Sequence, residues 1–278
     1  MPRIDHAKAM NMWHWHTLYS CLWALAIVSI YMLICVLTWM WLGPLVTVIL
    51  GTLFLVAPFV FAQTVFEHTR DHEMLLKEPE EEDLRRIQLI YARFERRTKI
   101  LLPPILMSAM PTRNAFLVDA PSRGDAFIAI TQLMLKSQSE RTLAVITAHE
   151  LGHYLAWDYF LCHLATYPLY LAEFLVSLTD PLTRKSLTME LILRLPLFPI
   201  FVLVARMSRE REFAADAFMA WVVGEVDSFE MLLEDLSQQE SFERPAHELL
   251  WRPGMTLGSH PMNIERMQAL RKLQQRPA

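Results

Sequence analysis

Residues 149–153 read His149-Glu150-Leu151-Gly152-His153. On a helix, side chains four positions apart share a face, with Cβ atoms about 5–6 Å apart. Two imidazoles so placed can converge on one Zn²⁺ at about 2.0–2.1 Å each. Glu150, beside the first ligand, can point toward the remaining coordination position without binding metal, where a general base for water is needed. The chance expectation for this pattern in a chain of this length is roughly 0.03, so the context matters. Leu143-Ala144-Val145-Ile146 supplies the apolar helix that the motif requires. Gly152 costs that helix about 1 kcal/mol relative to Ala; a small residue there admits a close backbone neighbour, which a plain core helix does not need.

A catalytic zinc keeps three protein ligands and one open position. The third donor must come from another element, and the segment Arg209-Glu210-Arg211-Glu212-Phe213-Ala214-Ala215-Asp216 opens a second helical run. Glu212 and Asp216 are four apart and share a face. That pairing lets Glu212 ligate while Asp216 accepts a hydrogen bond from a ligand imidazole and sets its tautomer. A solvated acidic helix has the same spacing, and spacing alone does not decide between them. The remaining histidines read as solvated, packed or interfacial: His14 and His16 alternate with Trp13 and Trp15 as an aromatic belt, His68 and His72 lack a partner carboxylate, and His163 sits in an apolar run. Cys21, Cys35 and Cys162 also fall in apolar runs, which excludes a disulfide framework and a thiolate metal site.

The elements that must hold these residues include membrane segments. Residues 18–42 contain no Asp, Glu, Lys, Arg or His, enough to cross a bilayer, which takes about 20 residues. After the turn at Gly43-Pro44, residues 45–66 are again uncharged. The first run is too long for the core of a cleaved signal peptide, so a spanning hairpin is expected. Residues 159–178 and 187–207 form two less pure apolar stretches, interrupted by His163, Glu173, Glu190 and Arg194; a second spanning hairpin is the preferred expectation, amphipathic helices on the membrane the alternative. Arg3 and Lys8 precede the first span, and Arg70, Lys77, Arg85 and Arg86 follow the second, while the hairpin has no Lys or Arg. The polar regions and both chain ends are therefore expected in the cytoplasm.

The 278 residues are 53% hydrophobic with mean hydropathy +0.23, and charges concentrate between residues 67 and 123 and after 207. A net charge of −4 without a dominant basic patch excludes nucleic acid as an expected partner. The division expected is an N-terminal tail (1–17), a membrane hairpin (18–66), a catalytic region with the metal helix (67–158), a second membrane hairpin (159–207) and a second catalytic region (208–278). Within the first catalytic region, Leu84, Ile87, Tyr91 and Phe94 recur at helical spacing with Ile90 alongside, while Arg85, Arg86, Arg93 and Arg96 read as a solvated face. Pro103-Pro104 ends that helix, and 105–110, 115–118 and 126–131 read as short antiparallel strands. The fold class is thus mainly α with a small antiparallel β-sheet and about four transmembrane helices, in a zincin-like metalloprotease.

Together these residues resemble the HtpX-like branch of the CAAX prenyl protease/HtpX zinc metalloprotease family. Asn114-Ala115-Phe116 is similar to the family's substrate-side strand, and Asp125 to Thr131 to the strand before its metal helix. Ser208 to Asp216 resembles the third-ligand motif, and Ser259-His260-Pro261 with Arg266 the C-terminal His-Pro motif. The segment 116–121 departs from the smaller, Gly-containing turn expected there, which leaves substrate preference open. The resemblance implies Zn²⁺ on His149, His153 and Glu212, Glu150 as general base, Asp216 behind the ligands, and Asn114 and Phe116 along the substrate. It also implies His260 as a donor to the tetrahedral intermediate, with helix capping as its alternative role. The expected activity is peptide-bond hydrolysis by a membrane-anchored endopeptidase whose catalytic region faces the cytoplasm, with protein or peptide substrates, the lipid bilayer as a partner, quality control of membrane proteins as the task and the bacterial inner membrane as the place. An intramembrane site-2-type protease is the first rival, weakened because no Asp-Gly pair occurs in the chain. A non-catalytic membrane scaffold is the second.

Overall fold

The computed structural model describes residues 4–55, 60, 63–64, 67, 76–111, 113–118, 125–156, 165–166, 198–224, 226–233 and 261–274. The chain begins with α1, His6–Leu42, a helix of 37 residues and so about 55 Å long. Asp5 caps it, its Oδ1 accepting from the Lys8 N–H at 3.1 Å. Gly43 ends it at φ 85°, a left-handed conformation that suits glycine. Helix α2, Pro44–Leu55, follows at once, with Pro in the first position, where its missing N–H costs nothing.

Helix α1 starts well before the uncharged run, and that early portion is seated on protein. Ala9 is fully buried and Met12 and Trp13 pack against the main core. The Asp5 N–H donates to Leu273 O at 2.9 Å, and Ile4 forms a β-bridge with Gln274. Further along, Ala24, Ile27 and Tyr31 bury against Ile200, Val204 and Met207 of helix α6, Phe198–Val223. Beyond that contact the helix opens outward: Leu33, Val36, Trp39, Met40, Trp41 and Leu42 are exposed. Among the described residues, α1 is the one helix long and apolar enough to cross a membrane. The segment of the expected second membrane hairpin before residue 198 lies, apart from 165–166, outside the described residues.

Helix α3, Glu81–Thr98, has acidic residues in its first turn and Arg96 and Arg97 in its last, complementing the helix dipole at both ends. Ile87, Ile90 and Phe94 face the core as their spacing predicts. Leu84 does not: it is exposed, and Asp83 is buried instead. Asp83 lies 3.6 Å from Arg86, whose guanidinium donates to Leu135 O and Gln138 O at 2.9 Å each. Arg86, expected on a solvated face, ties α3 to the backbone that leads into the helix carrying His149 and His153.

The sheet corrects the fold expectation. Strands β1 (Leu76–Lys77), β2 (Ile105–Ser108), β3 (Ala115–Val118) and β4 (Phe127–Thr131) lie in the order β1-β2-β4-β3. β3 and β4 pair antiparallel, as do β1 and β2, but β2 and β4 are parallel, with Ile105 opposite Ile128 and Ser108 opposite Thr131. The sheet is mixed because β4 inserts between β2 and β3 rather than extending a meander. All five β4 residues are buried, the signature of a central strand, and β3 is left at the edge.

Thr131 ends β4 and caps the short helix α4, Gln132–Ser137, its hydroxyl accepting from the Met134 N–H. Ser139 then caps α5, Glu140–Leu155, accepting from the Thr142 N–H at 3.2 Å. Helix α5 packs against α6 on one side and β3 on another. Helix α7, Asn263–Arg271, closes the body beside α6. A single core joins the sheet, α3, α5, the second half of α6 and α7.

Candidate metal centre

His149 and His153 sit on one face of α5, and Glu212 meets them from α6. Their Nε2 atoms are 3.2 Å apart. Glu212 Oε2 is 3.5 Å from His149 Nε2, and Oε1 is 3.7 Å from His153 Nε2. Ligand atoms in a tetrahedral shell of bonds about 2.0–2.2 Å long are separated by about 3.3–3.6 Å. The three separations bracket that value. Nitrogen and carboxylate donors at this spacing fit a divalent ion, and the three ligand atoms lie within 4.8 Å of one another.

The close meeting of α5 and α6 depends on two small residues. A Cβ added at Gly152 would stand 2.8 Å from Ala215 Cα and 3.2 Å from its carbonyl oxygen. Glycine at 152 therefore lets the second helix approach near enough for a short Glu212 side chain to reach both imidazoles.

Behind the triad lies a buried charge network. Asp216, fully buried, is 3.0 Å from His149 Nδ1 through Oδ1, although the imidazole N–H is not aligned along that line. Arg266 of α7 donates from Nε to Asp216 Oδ2 at 2.8 Å and from Nη2 to Oδ1 at 2.7 Å, and its Nη1 is 3.3 Å from Glu212 Oε2. Phe229 stacks on the His149 ring at 5.5 Å, and the Arg266 guanidinium lies 5.1 Å from the same Phe229 ring. Burial alone would push the imidazole of His149 down, but the Asp216 and Glu212 carboxylates outweigh it and raise it to about 9. Burial opposes the Asp216 charge as well, yet Arg266 holds its carboxyl below the usual range. Arg266 is likewise disfavoured by burial and held cationic by Asp216 and Glu212. Arg266 thus favours the Asp216 anion against His149, while Glu212 lies between the two imidazoles and the same guanidinium.

Glu150, on the same helix turn, accepts from the Leu117 N–H at 2.8 Å through Oε2, which places its carboxylate between α5 and the β3 edge. Asn114 lies just before β3; its N–H donates to Thr131 Oγ1 and its Oδ1 accepts from the Ala115 N–H at 2.9 Å. Phe116 is half-buried in a small cluster with Val118, Phe127 and Ala129. His260, together with His68, His72 and His163, lies outside the described residues. The structure thus brings His149, His153, Glu212, Asp216 and Glu150 into one locality with the β3 edge. Sequence reasoning quoted Arg266 only as part of a motif and missed Phe229 and Ala215. Their roles depend on contacts between distant segments, for which no local spacing gives a signal.

The family model described as peptidase family M48 matches residues 80–274. A protease HtpX homolog from Methylacidiphilum infernorum (isolate V4) is 26% identical over 227 residues, covering 72% of this chain and 75% of that relative. The crystal structure of S. mikatae Ste24p superposes with a TM-score of 0.50 at 18% identity, covering 94% of this chain and 67% of that one, a likeness of fold. With a family match that spans α5 and α6, every strand but β1, and the closing helix, the chain belongs to peptidase family M48 and is a metalloprotease.

Proposed function

We propose that this protein is a membrane-anchored zinc-dependent endopeptidase that hydrolyses peptide bonds of membrane proteins in quality control, with its catalytic body on the cytoplasmic side of a bacterial inner membrane. The observation that carries the hydrolytic reading is the His149–His153–Glu212 cluster at ligand spacing beside the Glu150 carboxylate. Histidine and carboxylate donors favour Zn²⁺. The anchoring rests on α1, whose outer half exposes a contiguous apolar surface of a size that soluble monomers rarely show. Four spans in two hairpins remain the proposed layout.

In this reading His149, His153 and Glu212 would hold the ion, which when bound would supply Lewis acidity and a water of lowered pKa. Asp216 orients the His149 ring, and Arg266 keeps Asp216 ionised while lying 3.3 Å from Glu212. Glu150 takes a proton from the water at one of its carboxylate oxygens and returns it to the leaving amine. The β3 edge, with Asn114 and Phe116, lays an extended substrate segment across the site by strand addition. His260 is the proposed donor to the developing oxyanion. The test is purification in detergent, with metal analysis of wild type and Glu212→Ala and with casein cleavage followed with and without a chelator. About one zinc per chain, lost in Glu212→Ala, and chelator-sensitive cleavage are expected. Zinc-loaded protein that never cleaves would leave a scaffold that keeps the protease fold.

A further inference from the structure

Strand β3 is an edge strand, so alternate backbone groups face away from the sheet. The Asn114 carbonyl accepts from the Thr131 N–H, which fixes the alternation: 114, 116 and 118 face β4, and 115 and 117 face outward. Both outward N–H groups are already occupied. Ala115 donates to Asn114 Oδ1 at 2.9 Å and Leu117 to Glu150 Oε2 at 2.8 Å. Exposed edge donors are sites where another strand adds, and here two side-chain oxygens sit where the carbonyls of such a strand would sit. One of those oxygens belongs to the proposed base.

We propose that the Leu117 N–H is a positioning group that holds Glu150 in the resting protein and is handed to a backbone carbonyl of an extended polypeptide substrate, freeing the carboxylate for the proton transfer. This rests on the proteolytic reading above and goes beyond it. It makes backbone occupancy of the edge, rather than any side chain, the condition for turnover, and so selects unfolded, extended segments over folded ones. A hydrogen bond to a charged acceptor is worth roughly 10–100-fold in an equilibrium; that sets the expected size of the effects.

Two arms test it on the full-length, metal-loaded protein in detergent. The first is hydrogen exchange at the residue 117 amide, without substrate. Exchange is expected to be slow in wild type, to stay slow in Glu150→Gln, whose amide oxygen still accepts, and to quicken roughly 10–100-fold in Glu150→Ala. The inward amides of Phe116 and Val118 stay slow throughout. Unchanged exchange at 117 in Glu150→Ala overturns the proposal whatever the activity. The second arm scans a quenched-fluorescent peptide with one carbonyl at a time replaced by methylene. At one position the replacement is expected to lower kcat, not only to raise KM. Leu117→Pro removes the N–H at an outward edge position, where proline is tolerated; it should make modified and parent peptides equal in kcat, while Leu117→Ala, which keeps the N–H, should still distinguish them. A scan that moves KM alone overturns the hand-over. Wild type that leaves the parent peptide uncut yet shows the Ala/Gln exchange contrast overturns proteolysis and keeps the capped edge.

Discussion

Glu150, His149 and Asp216 lie within one small volume, yet chemistry separates their tasks. Glu150 contacts the β3 edge, not a cation, so Glu150→Gln is expected to keep a full complement of metal and to lose about 10²–10⁴-fold in kcat; wild-type turnover in that variant removes it as the base. Asp216 touches His149 from behind and is itself fixed by Arg266. Asp216→Asn should therefore weaken metal binding about 10–100-fold, the usual cost of losing such a supporting carboxylate, measured by competition with a chromophoric chelator. The metal-free site carries a pH dependence of defined sign. His149 is raised to about 9 in the folded chain against an ordinary 6.5. Its ion pairing with Asp216 and Glu212 thus stabilises the metal-free fold fully below about 6.5, and that contribution is lost as the pH rises to about 9. Since a ligating imidazole must be neutral, apparent metal affinity should run the other way, rising up to about pH 9 with a proton released per ion bound. Thermal melts of stripped protein and metal titrations across that window check both signs.

At the scale of elements, the decisive contact is α5 against α6. Gly152→Ala would gain about 1 kcal/mol of helix propensity. The new Cβ would meet Ala215 backbone at 2.8 Å, and backbone cannot rotate away as a side chain can; overpacking of this kind costs about 1–3 kcal/mol. The net expectation is a destabilised protein in which α6 is pushed outward and Glu212 no longer reaches both imidazoles. Metal content after dialysis should fall together with the thermal midpoint. Retained stoichiometry in Gly152→Ala would show that the helices tolerate a wider spacing.

For the whole molecule, the first turns of α1 couple the two chain ends to the catalytic body. Residues before 18 read from sequence as a tail, with Trp13 to His16 as an aromatic belt at the membrane surface and no partner within the protein. In the fold, Ala9 is buried, Trp13 packs against Phe218, and the backbone at 4–5 pairs with 273–274. Deleting residues 1–10 is expected to lower the thermal midpoint in detergent by several degrees, at about 2–4 °C per kcal/mol for a body of this size. A mere tail would leave it unchanged. Because α1 continues into the exposed apolar half, the same rod seats the catalytic body at a set distance from its apolar end.

Local geometry explains what could be read without the fold. His149 and His153 share a face because four residues make about one helical turn, so their meeting needs no tertiary information. The uncharged run of 18–42, the α3 core face apart from Leu84, and the positions of β2, β3 and β4 are legible because each signal lies within a single element, whereas β1 carries none. The remainder required packing between distant segments. By spacing alone Glu212 was one acidic residue among several in a charged helix, singled out only by resemblance; its meeting with the imidazoles needs Gly152 and Ala215 to let α6 close on α5. Arg266 shows no spacing relation to Asp216, and only the docking of α7 makes their bidentate pair. The parallel β2–β4 register was equally hidden, since four-residue apolar strands carry no mark of the neighbour they choose. Periodicity is a property of one element in isolation; partner choice is a property of the surfaces it buries.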